Sequence, residues 1–189
     1  FSQGWVDEVY TNLDELIEEY TIIPAVRDLN DLDDALKTKS PIVFLLTGSI
    51  LDLEGISSKV REAQKALMIN VDLLEGIASD KKGIEFLAKK RFCDGIISTK
   101  TNAVRSAMKE KMLAIQRVFL IDSGVLKSIR DLIGSTSVPD AFEILPAIAA
   151  PYFIENIHSK ALVIAGGLIT KRREAEELFE KGVRGISTS

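Results

Sequence analysis

Ala161-Leu-Val-Ile-Ala-Gly-Gly-Leu-Ile169, a charged helical stretch, and then Gly182-Val-Arg-Gly-Ile-Ser-Thr-Ser189 together decide how this chain folds. Each quoted segment is an apolar, β-branched run that breaks into residues with no side chain or only a hydroxyl. Such runs, apolar on both faces and separated by an amphipathic helix, belong to a parallel sheet covered by helices. Gly166 and Gly167 leave their backbone N–H groups unshielded by a Cβ. Ser187, Thr188 and Ser189 add hydroxyl donors. A helix beginning near Thr170 aims further N–H groups, and its positive dipole end, the same way. Two neighbouring parallel strands that end like this make a phosphate cup, which in a (β/α)8 barrel lies after strands seven and eight. Small residues also serve tight turns, and a single Gly-Gly would mean no more than that. The pair of strand ends favours phosphate.

Outward from this stretch the same pattern repeats. Short apolar runs begin near Ile22, Pro41, Leu67, Asp94, Met112, Ala141, Ala161 and Val183. Amphipathic stretches lie between them, over about 28–38, 52–65, 80–91, 100–110, 123–134, 150–159 and 170–181. Eight strands of this kind predict a closed (β/α)8 TIM-type barrel over 22–189. That span is short against the roughly 250 residues typical of the fold, so the loops are minimal and leave no room for a lid domain. Residues 1–21 stand apart as an N-terminal helical extension. Trp5, Val6, Val9, Leu13, Leu16, Ile17 and Tyr20 recur at helical spacing there. A helix over 11–20, capped by Thr11 or Asn12, is expected to close the barrel floor or pack on its side. No eighth helix is evident, so either this N-terminal helix takes its place or the chain continues.

The 189 residues are enough for a domain with a substantial core. At 46% hydrophobic and 28% charged, the composition is that of an ordinary soluble globular protein. A net charge of -4 gives no global basic field of the kind that attracts nucleic acid. The single cysteine, Cys93, excludes an internal disulfide and suits a reducing cytoplasm. No apolar stretch approaches the roughly 20 residues of a membrane helix.

Barrel chemistry sits at the C-terminal strand ends. Those ends carry Arg27-Asp28, Thr47-Gly48-Ser49, Asn70 and Asp72, Ser98-Thr99-Lys100, Gln116-Arg117 and Asp122, and Glu143. Asp28 and Asp122 each precede a helix, where N-capping accounts for them about as well as ligand contact does, and Asp80 reads as a cap. Asn70 and Asp72 share a parity and face one side if the strand is regular. Asn70, Asp72, Arg117 and Glu143 lie in apolar strands, where a polar group is costly unless paired or solvated. They either pair with one another or serve a ligand: the acids accept from its hydroxyls while Arg117 or Lys100 balances charge. Asp72, Glu75 and Glu143 are chemically able to hold a divalent ion, although no spacing demands it and no cofactor is expected. The lone histidine, His158, falls in the helix over 150–159, away from the strand ends. That argues against a Ser-His-Asp triad and against histidine-based zinc ligation. Lys100 is chemically able to form a Schiff base, but its place at a helix start suits a charge partner better. No convincing catalytic constellation emerges.

Seven ordered motifs carry a family resemblance: Ile22-Ile-Pro-Ala-Val-Arg-Asp28, Val71-Asp-Leu-Leu-Glu-Gly76, Asp94-Gly-Ile-Ile-Ser-Thr-Lys100, Ala114-Ile-Gln-Arg-Val-Phe-Leu-Ile-Asp-Ser123, Glu143-Ile-Leu-Pro146, Ile164-Ala-Gly-Gly-Leu-Ile169 and Ser187-Thr-Ser189. Over about 22–189 the chain resembles the glycerol uptake operon antiterminator family. The resemblance implies a (β/α)8 barrel that senses glycerol 3-phosphate and binds leader RNA of glycerol-catabolism genes to prevent early termination. It implies phosphate contact by Gly166, Gly167, Ser187 and Thr188. Asp72 and Glu143 would meet the glycerol hydroxyls, with Arg117 and Lys100 nearby. The family consists of regulators rather than established enzymes. Basic groups available to RNA are Lys100, Arg105, Lys109 and Lys111, and Lys171, Arg172 and Arg173, although either set alone also reads as a solvated helix face. A homodimer would add RNA affinity. The rival reading is a small barrel enzyme acting on a phosphorylated triose or sugar, with Asp72 or Glu143 as acid or base. A third is a phosphate-ligand protein whose partner is another protein.

Overall fold

The computed structural model describes residue 10, residues 12–135 and residues 137–189. Eight parallel strands pair in sequence order and close into a barrel: β1 (Thr21–Val26), β2 (Ile42–Leu45), β3 (Ala66–Asn70), β4 (Gly95–Ser98), β5 (Leu113–Phe119), β6 (Ala141–Leu145), β7 (Leu162–Gly166) and β8 (Gly185–Thr188). Closure is made by β8 on β1, with Thr21 opposite Gly185 and Pro24 opposite Thr188. The covering helices are α2 (Leu32–Lys37), α3 (Leu53–Glu62), α4 (Lys81–Lys90), α5 (Thr101–Lys109), α6 (Gly124–Gly134), α7 (Ala150–Asn156) and α8 (Arg172–Glu180). The chain is therefore a (β/α)8 barrel, as its apolar runs predict.

Period-two alternation sorts every strand into an interior and an exterior set. Ile23, Ile42, Phe44, Ala66, Met68, Ile97, Leu113, Ile115, Ala141 and Ile164 fill the barrel. The alternate residues pack outward under the helices in two shells: one runs from Val26 to Ala114 over the first half, the other from Val118 to Ile186 over the second. Gly95 is an interior position with no room for a side chain. A Cβ there would lie 2.4 Å from the Leu113 carbonyl oxygen and 2.7 Å from Met68 Cε.

The N-terminal helix is shorter than its periodicity suggests. α1 (Leu13–Leu16) is a single turn capped by Asn12, whose side chain accepts from the Asp14 N–H; Thr11, the other candidate cap, lies outside the described residues, as do Trp5, Val6 and Val9. The helix stops because Ile17 turns extended and drops into the barrel. Leu13, Leu16 and Ile17 join the interior cluster from below. Arg184 clamps the turn, donating to the Ile17 carbonyl at 3.0 Å and pairing with Asp14 at 3.3 Å. Of the expected alternatives, α1 is the floor, not a substitute for an eighth helix on the outer wall.

The floor holds two matching ties. Asp94, before β4, accepts from the Leu67 N–H of β3 at 2.8 Å; Asp140, before β6, accepts from the Ala114 N–H of β5 at the same distance. Each fixes the start of one strand against its neighbour, and burial pushes both carboxyls above their usual range.

Candidate functional site

The alternation that fills the barrel with Met68, Ile115, Ala141, Ile164 and Gly185 brings Asn70, Arg117, Glu143, Gly166 and Ser187 to the next interior level, at the mouth. Register sets their neighbours: Arg117 lies opposite Glu143, and Gly166 opposite Ser187. Glu143 is 2% exposed, at the centre of the group. Arg117 Nε lies 3.0 Å from Glu143 Oε1, and the Ser187 side chain, on the neighbouring inward strand position, favours the charged form of the same carboxylate. The Arg117–Glu143 contact is one of charge without hydrogen-bond alignment, so both Nε and Oε1 are buried with no hydrogen-bond partner. Burial pushes the Glu143 carboxyl up, while Arg117, Ser187 and Arg27 pull it back. The Phe119 ring sits on the outer side of Arg117, 5.3 Å from the guanidinium carbon.

β7 and β8 supply the wall beside this cluster. A Cβ at Gly166 would come within 2.6 Å of Ser187 Oγ. Gly167 (φ 83°) and Leu168 (φ 60°) are consecutive left-handed residues that turn the chain sharply at the strand end, and the Gly167 carbonyl accepts from the Ala147 N–H. The following helix does not complete the cup as expected. α8 starts at Arg172, and its own Glu174 carboxylate accepts from the N–H groups of Thr170 and Lys171, occupying that helix end.

Of the residues expected at the site, Gly166, Gly167, Ser187, Glu143 and Arg117 gather at the mouth, and three go elsewhere. Ile186 packs outward, so alternation sends the Thr188 side chain outward too, into a groove with Ile22 and Pro24. β3 ends at Asn70, and Asp72 lies in the turn beyond it. The condition for shared parity therefore fails. The Asp72 carboxylate accepts from Ser98 Oγ, Thr99 N and Thr99 Oγ1 at 2.7–2.9 Å, tying the loop after β3 to that after β4. Lys100 leans the same way, donating to Ser79 Oγ at 2.7 Å. Asp72, Glu75 and Glu143 do not converge, and among the described residues no three His, Cys, Asp or Glu side chains are grouped to hold a metal ion. His158 lies beyond the end of α7 and is exposed.

Arg27 is the residue that sequence reasoning passed over. It continues the inward parity of Ile23 and Ala25 past the end of β1, next to β8, and its charge acts on Glu143. The one signal in the sequence was its place at a strand end, shared with many other polar residues.

The fold and mouth define a (β/α)8 barrel whose interior carries a buried acid–base pair beside a glycine-lined strand end. The chain belongs to the glycerol-3-phosphate responsive antiterminator family, whose model matches residues 22–189. It is similar to the glycerol uptake operon antiterminator regulatory protein of Listeria monocytogenes, with a TM-score of 0.82 and 32% identity, covering 89% of this chain and 91% of that one. A glycerol uptake operon antiterminator-related protein of Thermotoga maritima gives a TM-score of 0.80 and 31% identity, over 89% and 94% of the two chains. An Escherichia coli K12 protein known as uncharacterized protein YgcP is 32% identical over 177 residues, 92% of this chain and 91% of its own. Among the described residues no helix is long and apolar enough to cross a membrane.

Proposed function

We propose that this chain is a glycerol 3-phosphate sensor whose ligand occupancy controls its binding to leader RNA of glycerol-catabolism genes in the cytoplasm. The observation that carries the ligand half is the state of Glu143: a buried carboxylate oxygen, beside the glycine-lined strand ends, without a hydrogen-bond donor. A ligand hydroxyl supplies that donor. The phosphate lies against the backbone of Gly166 and Gly167 with Ser187 beside it, and Arg27 and Arg117 provide positive charge. Glycerol alone lacks the anion, and inorganic phosphate lacks the carbon-borne hydroxyls that reach past the phosphate, so the ester satisfies both ends.

The RNA half rests on the family. The basic groups give it little help: Arg105 donates to Ser135 Oγ, while Arg172 and Arg173 pair with Glu176 and Glu177 one turn along α8. A low local positive charge makes the RNA affinity strongly dependent on dimerisation or on base contacts.

The enzyme reading has one observation in its favour, since a buried acid with a raised pKa in a barrel mouth is a familiar acid–base signal. Two measurements separate the readings. Thermal shift with glycerol 3-phosphate, glycerol and inorganic phosphate is expected to show stabilisation greatest with the ester, about 2.7 kcal/mol at a hundredfold excess over its dissociation constant. Phosphorus NMR of triose and pentose phosphates incubated with the protein is expected to show no conversion. Turnover on the order of 1 per second would establish an enzyme.

A further inference from the structure

Most of the large apolar side chains left exposed among the described residues sit at one end of the barrel. Leu51, Leu73, Phe119, Ile121, Ile148 and Leu168 follow or end β2, β3, β5, β6 and β7, and are 47–90% exposed. A fully exposed side chain of this size offers about 60–120 Å² of apolar surface, the area implied by its usual transfer free energy, so the six together offer about 400 Å². A standard interface buries about 800 Å² per partner, a little over half of it apolar. One rim therefore carries nearly the apolar area that a specific protein–protein interface needs.

Charge indicates what covers it. After β2 and β3 the acids Asp52, Glu54, Asp72, Glu75 and Asp80 outnumber Lys81, Lys82 and Lys100, which leaves that sector of the rim net acidic. Lys171, Arg172 and Arg173, exposed after β7, make another sector basic. In a closed ring of eight strands, β3 and β7 lie opposite one another. A two-fold axis laid across the mouth from β1 to β5 exchanges those sectors. It sets the acidic rim of each copy on the basic rim of the other, and brings Phe119 and Ile121 close to the axis against their own counterparts. This is the self-complementarity an isologous interface requires. The pairs that Arg172 and Arg173 make with Glu176 and Glu177 are exposed, water-screened and exchangeable. RNA fits this face poorly, because its acidic sector repels phosphates.

We propose that the barrel mouth is a dimer interface, with two copies packed mouth to mouth about this axis. Each copy then walls the other's open cup, which the short strand-to-helix loops leave uncovered, and supplies the enclosure a small-molecule site normally has. The proposal does not depend on which ligand the cup takes.

Sedimentation velocity of the full chain tests it. Wild type is expected to be dimeric at about 10 µM, with a dissociation constant in the micromolar range or below. Leu51→Glu/Ile121→Glu should raise that constant at least about a hundredfold, and Ile148→Lys alone about tenfold, with far-UV circular dichroism unchanged. Arg172→Glu/Arg173→Glu should weaken the dimer, and adding Glu54→Arg/Glu75→Arg to the same chain should restore it. If the first variant misfolds, Ile148→Lys and the charge swap still decide. A wild-type monomer at about 100 µM overturns the proposal. So does a dimer indifferent to these substitutions, a charge reversal that the second swap does not rescue, or a monomer that binds RNA or neutral lipid vesicles through Leu51 and Ile121.

Discussion

Gly166→Ala is the perturbation that tests the mouth cluster most directly. The added Cβ would stand 2.6 Å from Ser187 Oγ, closer than real contacts allow, with the next neighbour, Leu145 Cγ, at a comfortable 3.7 Å. The hydroxyl has to rotate away, and in doing so it gives up its favourable influence on the Glu143 carboxylate. A polar contact to a charged group is worth up to the about 1.5–3 kcal/mol of a full hydrogen bond. In a protein of this size that lowers the melting temperature by roughly 3–12 °C. Ser187→Ala removes the same contact by another route and should cost about the same. In the double variant there is no hydroxyl to displace, so the penalties should not add: it should melt close to Ser187→Ala alone, a coupling of about 1.5–3 kcal/mol. Differential scanning calorimetry of the four proteins, with and without glycerol 3-phosphate, measures the cycle. Additive losses would refute the reasoning, because they would mean that Gly166 and Ser187 act independently and that Glu143 is held by something else.

Arg117→Met removes the nearest positive charge from the buried Glu143 carboxylate, leaving Arg27, and should destabilise the barrel by up to about 3–5 kcal/mol at neutral pH, or roughly 6–20 °C in melting temperature, and by less in acid, where Glu143 holds a proton. The Glu143 carboxyl titrates above its unfolded value of 4.5, so the folded state holds that proton to higher pH than the unfolded chain does. Its stabilising contribution is thus complete below about pH 4.5 and fades as pH rises through the folded pKa. Wild type measured against Glu143→Gln by thermal melts should lose ground as pH climbs from 4.5 toward neutrality, and a gap that widens in wild type's favour over that range would contradict the assignment. Asp72→Asn should loosen the loops after β3 and β4 and cost stability, yet affect glycerol 3-phosphate affinity far less than Glu143→Gln does, as calorimetric titration of the two variants will show. Gly95→Ala should prevent normal folding or lower the melting temperature more than any mouth variant, because the clash is with strand backbone.

The fold was legible because a barrel strand buried on both faces has no alternative use for a continuous apolar run. Each of the eight runs contains a strand, and each of the seven amphipathic stretches contains a helix. The N-terminal helix was overread for the same kind of reason. Leu13, Leu16 and Ile17 do point one way, but Ile17 reaches the interior in extended backbone, and periodicity does not distinguish three residues on a helix face from three converging on a barrel floor.

The mouth was partly legible, and its errors share a cause. Alternation relates a strand residue to the interior only while the strand lasts and only once its phase is known. Arg117 and Glu143 lie within strands, and counting from apolar neighbours of the same parity places both inside, where register makes them partners. Asp72 lies two residues past Asn70, and the turn there carries its carboxylate sideways to Ser98 and Thr99. Ser187 and Thr188 look equivalent in the sequence, but they occupy opposite phases, so only Ser187 reaches Glu143. Arg27 shows the converse: it continues the inward phase of β1 beyond the assigned strand and still acts on the cluster, because β1 and β8 are joined and the closed ring brings the first strand end beside the last. That neighbourhood exists only once the barrel closes, so no local pattern announces it. Polar residues at barrel strand ends are therefore read more securely by phase relative to the filled interior, taken around the ring, than by residue type, and on that criterion Arg27, Arg117, Glu143 and Ser187 share the inward face of the mouth while Asp72 and Lys100 lie on the loops beside it.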